Sequence, residues 1–126
     1  MSAINWFEIP VSDIHRAQKF YSTVLDREIP ITDMTEQMGS MLGMLSSEEG
    51  VSGVLVQNSQ YGYVPSQEGT LVYLTVGDVD LNEAVAKVED AGGQITLPKT
   101  DLGEQRGYCA WILDTEGNKV GLYSAK

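Results

Sequence analysis

Trp111-Ile-Leu-Asp-Thr-Glu-Gly-Asn-Lys-Val-Gly-Leu-Tyr123 holds two short apolar runs separated by a polar stretch, Asp114 to Lys119, built around a Gly-Asn pair. Apolar run, turn, apolar run is the grammar of a β-hairpin: the strands bury alternate side chains, and the turn needs a residue that tolerates positive φ. The hairpin closes the chain, and the segments before it repeat one order of elements twice.

Ala3 to Val11 reads as a strand, with Ile4, Trp6, Glu8 and Pro10 on one face and Asn5, Phe7, Ile9 and Val11 on the other. Pro10 cannot donate to a ladder, so the strand ends there or lies at an edge. Ser12-Asp13 then caps a helix to Leu25, with Ile14, Ala17, Tyr21, Val24 and Leu25 at helical spacing. Short strands are expected over Glu28–Asp33, Met38–Leu45 and Val51–Asn58, followed by an aperiodic linker from Ser59 to Gly69. The second round begins with a strand from Thr70 to Val76. Asp80 caps the next helix, with Glu83 as reciprocal partner in a capping box. Leu81, Ala84, Val85, Val88 and Ala91 form its apolar face, and Gly92-Gly93 ends it. Gln94–Leu97 reads as a short strand and Thr100–Gly107 as a loop.

The two rounds can be laid over one another. Ile9-Pro-Val-Ser-Asp13 matches Leu74-Thr-Val-Gly-Asp78, and Glu49-Gly50 with Val54-Leu55 matches Glu116-Gly117 with Gly121-Leu122. The expected fold is α+β: two paired βαβββ modules, about 1–60 and 68–126, in one domain.

Composition narrows the function classes. The 126 residues carry a net charge of −10 with no Lys/Arg cluster, which disfavours nucleic acid and anionic membranes as partners. No apolar run is long enough to span a bilayer, and the N-terminus lacks the pattern of a signal peptide. The single cysteine, Cys109, excludes an intrachain disulfide and points to a reducing, cytoplasmic location. The sole histidine, His15, lies in the first helical turn and is expected at the surface.

Ile9-Pro-Val-x-Asp13 with Phe20-Tyr21, and Asp114 to Tyr123, in this order and spacing, resemble the vicinal oxygen chelate superfamily, which holds glyoxalase I, extradiol dioxygenases, fosfomycin-resistance enzymes and bleomycin-binding proteins. The resemblance covers nearly the whole chain. It implies that each module has one main helix and a curled mixed sheet, and that the sheets form a cleft. It also implies metal-ligand positions: one seven residues before Asp13, its counterpart in the second half, and a Glu on the last strand. Here those positions hold Trp6, Leu71 and Gly121, none of which binds a metal, so no metal or other cofactor is expected.

The same face of each strand would then present Trp6, Glu8, Tyr73 and Tyr123 to the cleft, with Trp111 or Tyr108 joining according to register. Aromatic walls with one carboxylate suit a flat or amphipathic small molecule, a cationic one included. The expected function is metal-free small-molecule binding of the bleomycin-resistance kind. The alternatives are a lyase or isomerase-type enzyme using Glu8 as catalytic base or a displaced metal, and a diverged interaction module. Glu8 could equally pair with Arg106 or Lys99 or face solvent at the cleft mouth, and the aromatics could be core. Family members commonly pair two chains, and open sheets leave edges to cover, so a homodimer is expected.

Overall fold

The computed structural model of the chain describes residues 3–126. Met1 and Ser2, where the expectation about a leader begins, lie outside the described residues. Module one runs β1 (Trp6–Pro10), α1 (Ile14–Val24), β2 (Ile31–Met34), the helical turn α2 (Thr35–Met38), β3 (Ser40–Leu45) and β4 (Ser52–Gln57). Module two runs β5 (Tyr73–Thr75), α3 (Leu81–Val85), β6 (Gln94–Asp101), β7 (Tyr108–Leu113) and β8 (Lys119–Ser124). Each module forms a four-stranded mixed sheet, in the orders β1-β4-β3-β2 and β5-β8-β7-β6, with the first strand parallel to the last. This is the α+β pair of βαβββ modules expected from the repeat.

The repeat holds down to single hydrogen bonds. Glu8 pairs with Val54, and Tyr73 pairs with Gly121. Val11 N–H donates to the Val56 carbonyl at 2.9 Å, and Val76 N–H to the Tyr123 carbonyl at 3.0 Å. Glu8 and Tyr73 are therefore structural counterparts, as are Val54 and Gly121.

Several boundaries differ from the sequence expectation. The second helix is regular only to Val85, because Lys87 and Val88 bond to carbonyls three residues back rather than four. Its apolar face is nonetheless buried at Leu81, Ala84, Val85 and Val88. The Asp80 side chain accepts from Asn82 N–H and from Lys99 rather than sharing a box with Glu83. Strand β6 runs on to Asp101, through two register irregularities that accommodate Pro98 on an edge strand. The loop before β7 shrinks accordingly, and β5 is shorter than the 70–76 expected. Among the described residues no helix is long and apolar enough to cross a membrane.

One hydrophobic cluster joins both modules: Ile9 and Leu55 from the first sheet, Leu74, Ala110, Ile112 and Leu122 from the second, and the inner faces of both helices. Helix α1 approaches module two so closely that a Cβ on Gly93 would lie 2.7 Å from the Phe20 ring. The closing hairpin grips the start of α1. Glu116 Oε1 accepts from Ser12 and Asp13 N–H, both at 2.9 Å, and its carboxylate takes the Arg16 guanidinium in a two-pronged contact. Burial pushes the Glu116 carboxyl up, but Arg16, the two N–H donors and the Thr115 hydroxyl outweigh it and hold it below the usual range. Beneath lies Asp114, 5% exposed, whose Oδ2 accepts from the Tyr21 hydroxyl at 2.6 Å and from Asn118 Nδ2 at 3.0 Å. Its Oδ1 accepts from Glu116 and Asn118 N–H. Burial, reinforced by the Asp114 charge, raises the Tyr21 hydroxyl well above its ordinary pKa, so it stays protonated as a donor.

Tyr21→Phe removes one donor from a buried carboxylate and leaves the shape intact. The expected loss is about 1.5–3 kcal/mol of unfolding free energy. Urea denaturation checks it: the midpoint should fall with the slope unchanged, and an unchanged midpoint would count against this hydrogen bond as a join between the modules.

Candidate ligand-binding site

Strand alternation on β1 turns Ile9 into the core and Trp6 and Glu8 away from it. Trp6 and Glu8 line a cavity of about 430 Å³ together with Ile4, Pro10, Val64, Val72 and Lys119. The cavity thus lies between β1, the inter-module linker and the start of β8. Trp6 is 45% exposed, a large apolar surface left open to solvent. Glu8 pairs with neither Arg106 nor Lys99: Arg106 bonds Glu104, and Lys99 bonds Asp80 at 2.9 Å. Glu8 Oε1 instead accepts from the Tyr63 hydroxyl at 2.6 Å, and that hydrogen bond is the chief reason the Tyr63 hydroxyl lies above its ordinary pKa.

The module-two aromatics form a separate group. Tyr73, Gly121 and Trp111 lie in one row across β5, β8 and β7. The Tyr73 ring covers Gly121 so closely that a Cβ there would stand 2.4 Å from a ring carbon. Trp111 Nε1 donates to the Tyr73 hydroxyl at 2.8 Å, closing an arch over the glycine. Lys119 connects the two groups, because it lines the cavity and its ammonium lies 4.1 Å from the Trp111 ring centroid. Tyr123 belongs to neither group: its hydroxyl donates to the Arg106 carbonyl at 2.7 Å and secures the loop before β7. Tyr108 lies under Lys99.

The five expected residues therefore sit in three places: Trp6 and Glu8 on the cavity wall, Tyr73 and Trp111 in the arch beside it, and Tyr123 apart. Lys119 and Tyr63 are the additions. Lys119 has no periodicity to mark it, and Tyr63 lies in the aperiodic linker, where its one signal is an aromatic ring among polar residues.

The residues at the family's three ligand positions do not fit a divalent cation. The position of the last-strand carboxylate is a glycine roofed by Tyr73, and Trp6 and Leu71 offer no donor atoms. Among the described residues no three His, Cys, Asp or Glu side chains gather as a metal site would require. His15 is exposed on α1.

Residues 3–122 match the family model of the Glyoxalase/Bleomycin resistance protein/Dioxygenase superfamily, and the chain belongs to that superfamily. It is 29% identical to CFP32 of Mycobacterium bovis, a protein provisionally named a glyoxylase, over 96% of this chain and 45% of that protein. The chain thus spans about half the length of that relative. Among solved structures it resembles a glyoxalase/bleomycin resistance protein from Albidiferax ferrireducens, with TM-score 0.75 at 15% identity, covering 98% of this chain and 99% of that one. It also resembles TnmS3, an antibiotic binding protein from Streptomyces sp. CB03234, with TM-score 0.61 at 22% identity, covering 98% and 96%. At these identities the two structures establish the fold alone.

A methyl group at Gly121 has to displace the Tyr73 ring, which carries with it the hydrogen bond to Trp111. Gly121→Ala should cost about 1–3 kcal/mol of stability and shift the Trp111 fluorescence. An unchanged emission spectrum and unfolding midpoint would mean that the arch is not held closed over the glycine.

Proposed function

We propose that the protein binds a small aromatic or amphipathic molecule in the cavity beside β1, without a catalytic metal. The observation that carries this reading is Trp6, half-exposed next to Glu8 on a wall that is otherwise mostly apolar: Ile4, Pro10, Val64 and Val72. Open apolar surface rimmed by a few polar groups is what ligand sites offer, since burying it against a ligand is favourable and the polar groups set orientation. The unsuitability of Trp6, Leu71 and Gly121 as ligands supports the metal-free part. The fold shared with an antibiotic binding protein is compatible with the same use.

A second reading, an enzyme with Glu8 as general base, is favoured by the 2.6 Å contact that places a proton-bearing hydroxyl on its carboxylate. The provisional naming of the mycobacterial relative leans the same way. We further propose a homodimer, because Trp6 and Tyr73 leave apolar surface uncovered and β2 and β6 are sheet edges. Cys109, a free thiol buried on β7, suits a reducing cytoplasm.

A fluorescence titration with flat naphthalene and quinoline compounds tests the binding reading. At least one should bind, and Trp6→Ala should weaken it about tenfold, the equivalent of ~1.4 kcal/mol. Elemental analysis after dialysis should find no stoichiometric zinc, nickel, iron or manganese; one retained equivalent would overturn the metal-free reading. Light scattering at micromolar concentration should give twice the chain mass, and a monomer would reject the dimer.

A further inference from the structure

We propose that Tyr63 is a built-in occupant of the Glu8 carboxylate, and that the cleft selects ligands whose protonated amine takes its place. The inference rests on the binding reading above and adds the ligand class and the residue that gates it.

Tyr63 does not line the cavity that holds Glu8. It lines a neighbouring hollow of about 270 Å³ with Val11, Thr35, Met41 and Asn58, and its hydroxyl reaches Glu8 from there. The segment that carries it is loosely held. Among the described residues, 63–65 form no backbone–backbone hydrogen bond, and Pro65 has no N–H to give. Gly62, at φ 78°, opens the segment in the left-handed region. The anchors lie outside it. On one side the Asn58 side chain accepts from Gln60 N–H at 3.1 Å. On the other, Ser66 N–H donates to Asn118 Oδ1 at 3.0 Å, and Lys119 N–H to the Ser66 carbonyl at 3.2 Å. The hydroxyl of Tyr63 is thus the polar tether between two fixed ends.

Breaking that tether frees a partly exposed phenol whose hydrogen bond lies at the surface, so the hydroxyl regains water and the cost is small. What replaces it must give the carboxylate more than a neutral hydroxyl does. A protonated amine does so, because donor and acceptor are then both charged. A carboxylate ligand would meet Glu8 and Glu68 in the same cavity, on a chain of net charge −10. The one lysine there, Lys119, is engaged with the Trp111 face. The apolar body of the ligand would lie against Trp6, Val64 and Val72.

Calorimetric titration of 2-naphthylmethylamine and 2-naphthylmethanol into wild type, Tyr63→Phe and Glu8→Gln tests this, with circular dichroism to confirm folding. The amine should bind wild type more tightly than the alcohol. Glu8→Gln should weaken the amine about tenfold or more, and Tyr63→Phe should tighten it about two- to tenfold by removing the competitor. Amine affinity unchanged or weakened in Tyr63→Phe overturns the role of Tyr63. Equal binding of the two probes with no loss in Glu8→Gln overturns the amine preference and leaves the cleft standing as a binding site. No binding of either probe to wild type or Tyr63→Phe overturns the cleft reading itself, and this inference with it.

Discussion

A carboxylate with 5% exposure is stable only if its oxygens are saturated with donors, and Asp114 meets that condition by drawing on both halves of the chain. Its own turn supplies the Glu116 and Asn118 N–H groups and the Asn118 amide, and helix α1 supplies the Tyr21 hydroxyl. Asn118 then passes the connection on, donating to the Pro10 carbonyl at 2.7 Å at the end of β1. The geometry of the hairpin and the docking of the modules are therefore one constraint. If the turn relaxes, the buried charge loses partners; if the modules separate, it loses Tyr21. Glu116 repeats the arrangement nearer the surface, with the Ser12 and Asp13 N–H groups that lead into α1 and Arg16 as its donors.

This explains why so much of the fold was legible in the sequence. Ile9-Pro-Val-x-Asp13 with Phe20-Tyr21, and Asp114 to Tyr123, carry the family resemblance, and the Tyr21–Asp114 hydrogen bond, spanning 93 residues, is where the two stretches meet. The repeat was legible because ladder register follows from apolar alternation, and alternation is written in the residues. Helix and strand ends were less so. The tightening after Val85 and the continuation of β6 past Pro98 depend on tertiary neighbours, Thr100 pairing with Cys109 for example, which local pattern does not record.

The site was legible only in part, for a related reason. Alternation placed Trp6 and Glu8 together, and a count along the last strand placed Gly121 at a family ligand position. Neither could say that the Tyr73 ring would fold over that glycine, since the missing side chain defines a space and not its occupant. Tyr63 and Lys119 act through tertiary geometry, one from an aperiodic linker and one through the face of Trp111. Tyr123 shares a strand face with Gly121, yet its hydroxyl is consumed by the Arg106 carbonyl. Facing the right way is thus necessary for a site residue and does not make it one.

Glu8 and Tyr73 occupy equivalent rungs of the two modules, yet their surroundings differ in kind. On the module-two side, the ring of Tyr73 lies on Gly121 and its hydroxyl accepts from Trp111, so three adjacent strands are tied by contacts that a ligand has no reason to break. On the module-one side, Glu8 has a single partner, carried by a segment without backbone hydrogen bonds of its own. The hairpin clamp fixes both sheets relative to each other, so a ligand in the proposed cavity would meet walls set by β1 and the start of β8 and one exchangeable contact at Glu8. Differential binding needs such asymmetry: a firm wall limits the entropy lost on association, and a polar group whose existing partner is readily replaced can discriminate among incoming donors. Gly121, with no donor atom where the resemblance places a ligand, and Glu8, on the rung that answers to Tyr73, are the two features that suit the proposed site to exchanging a hydrogen bond rather than holding an ion.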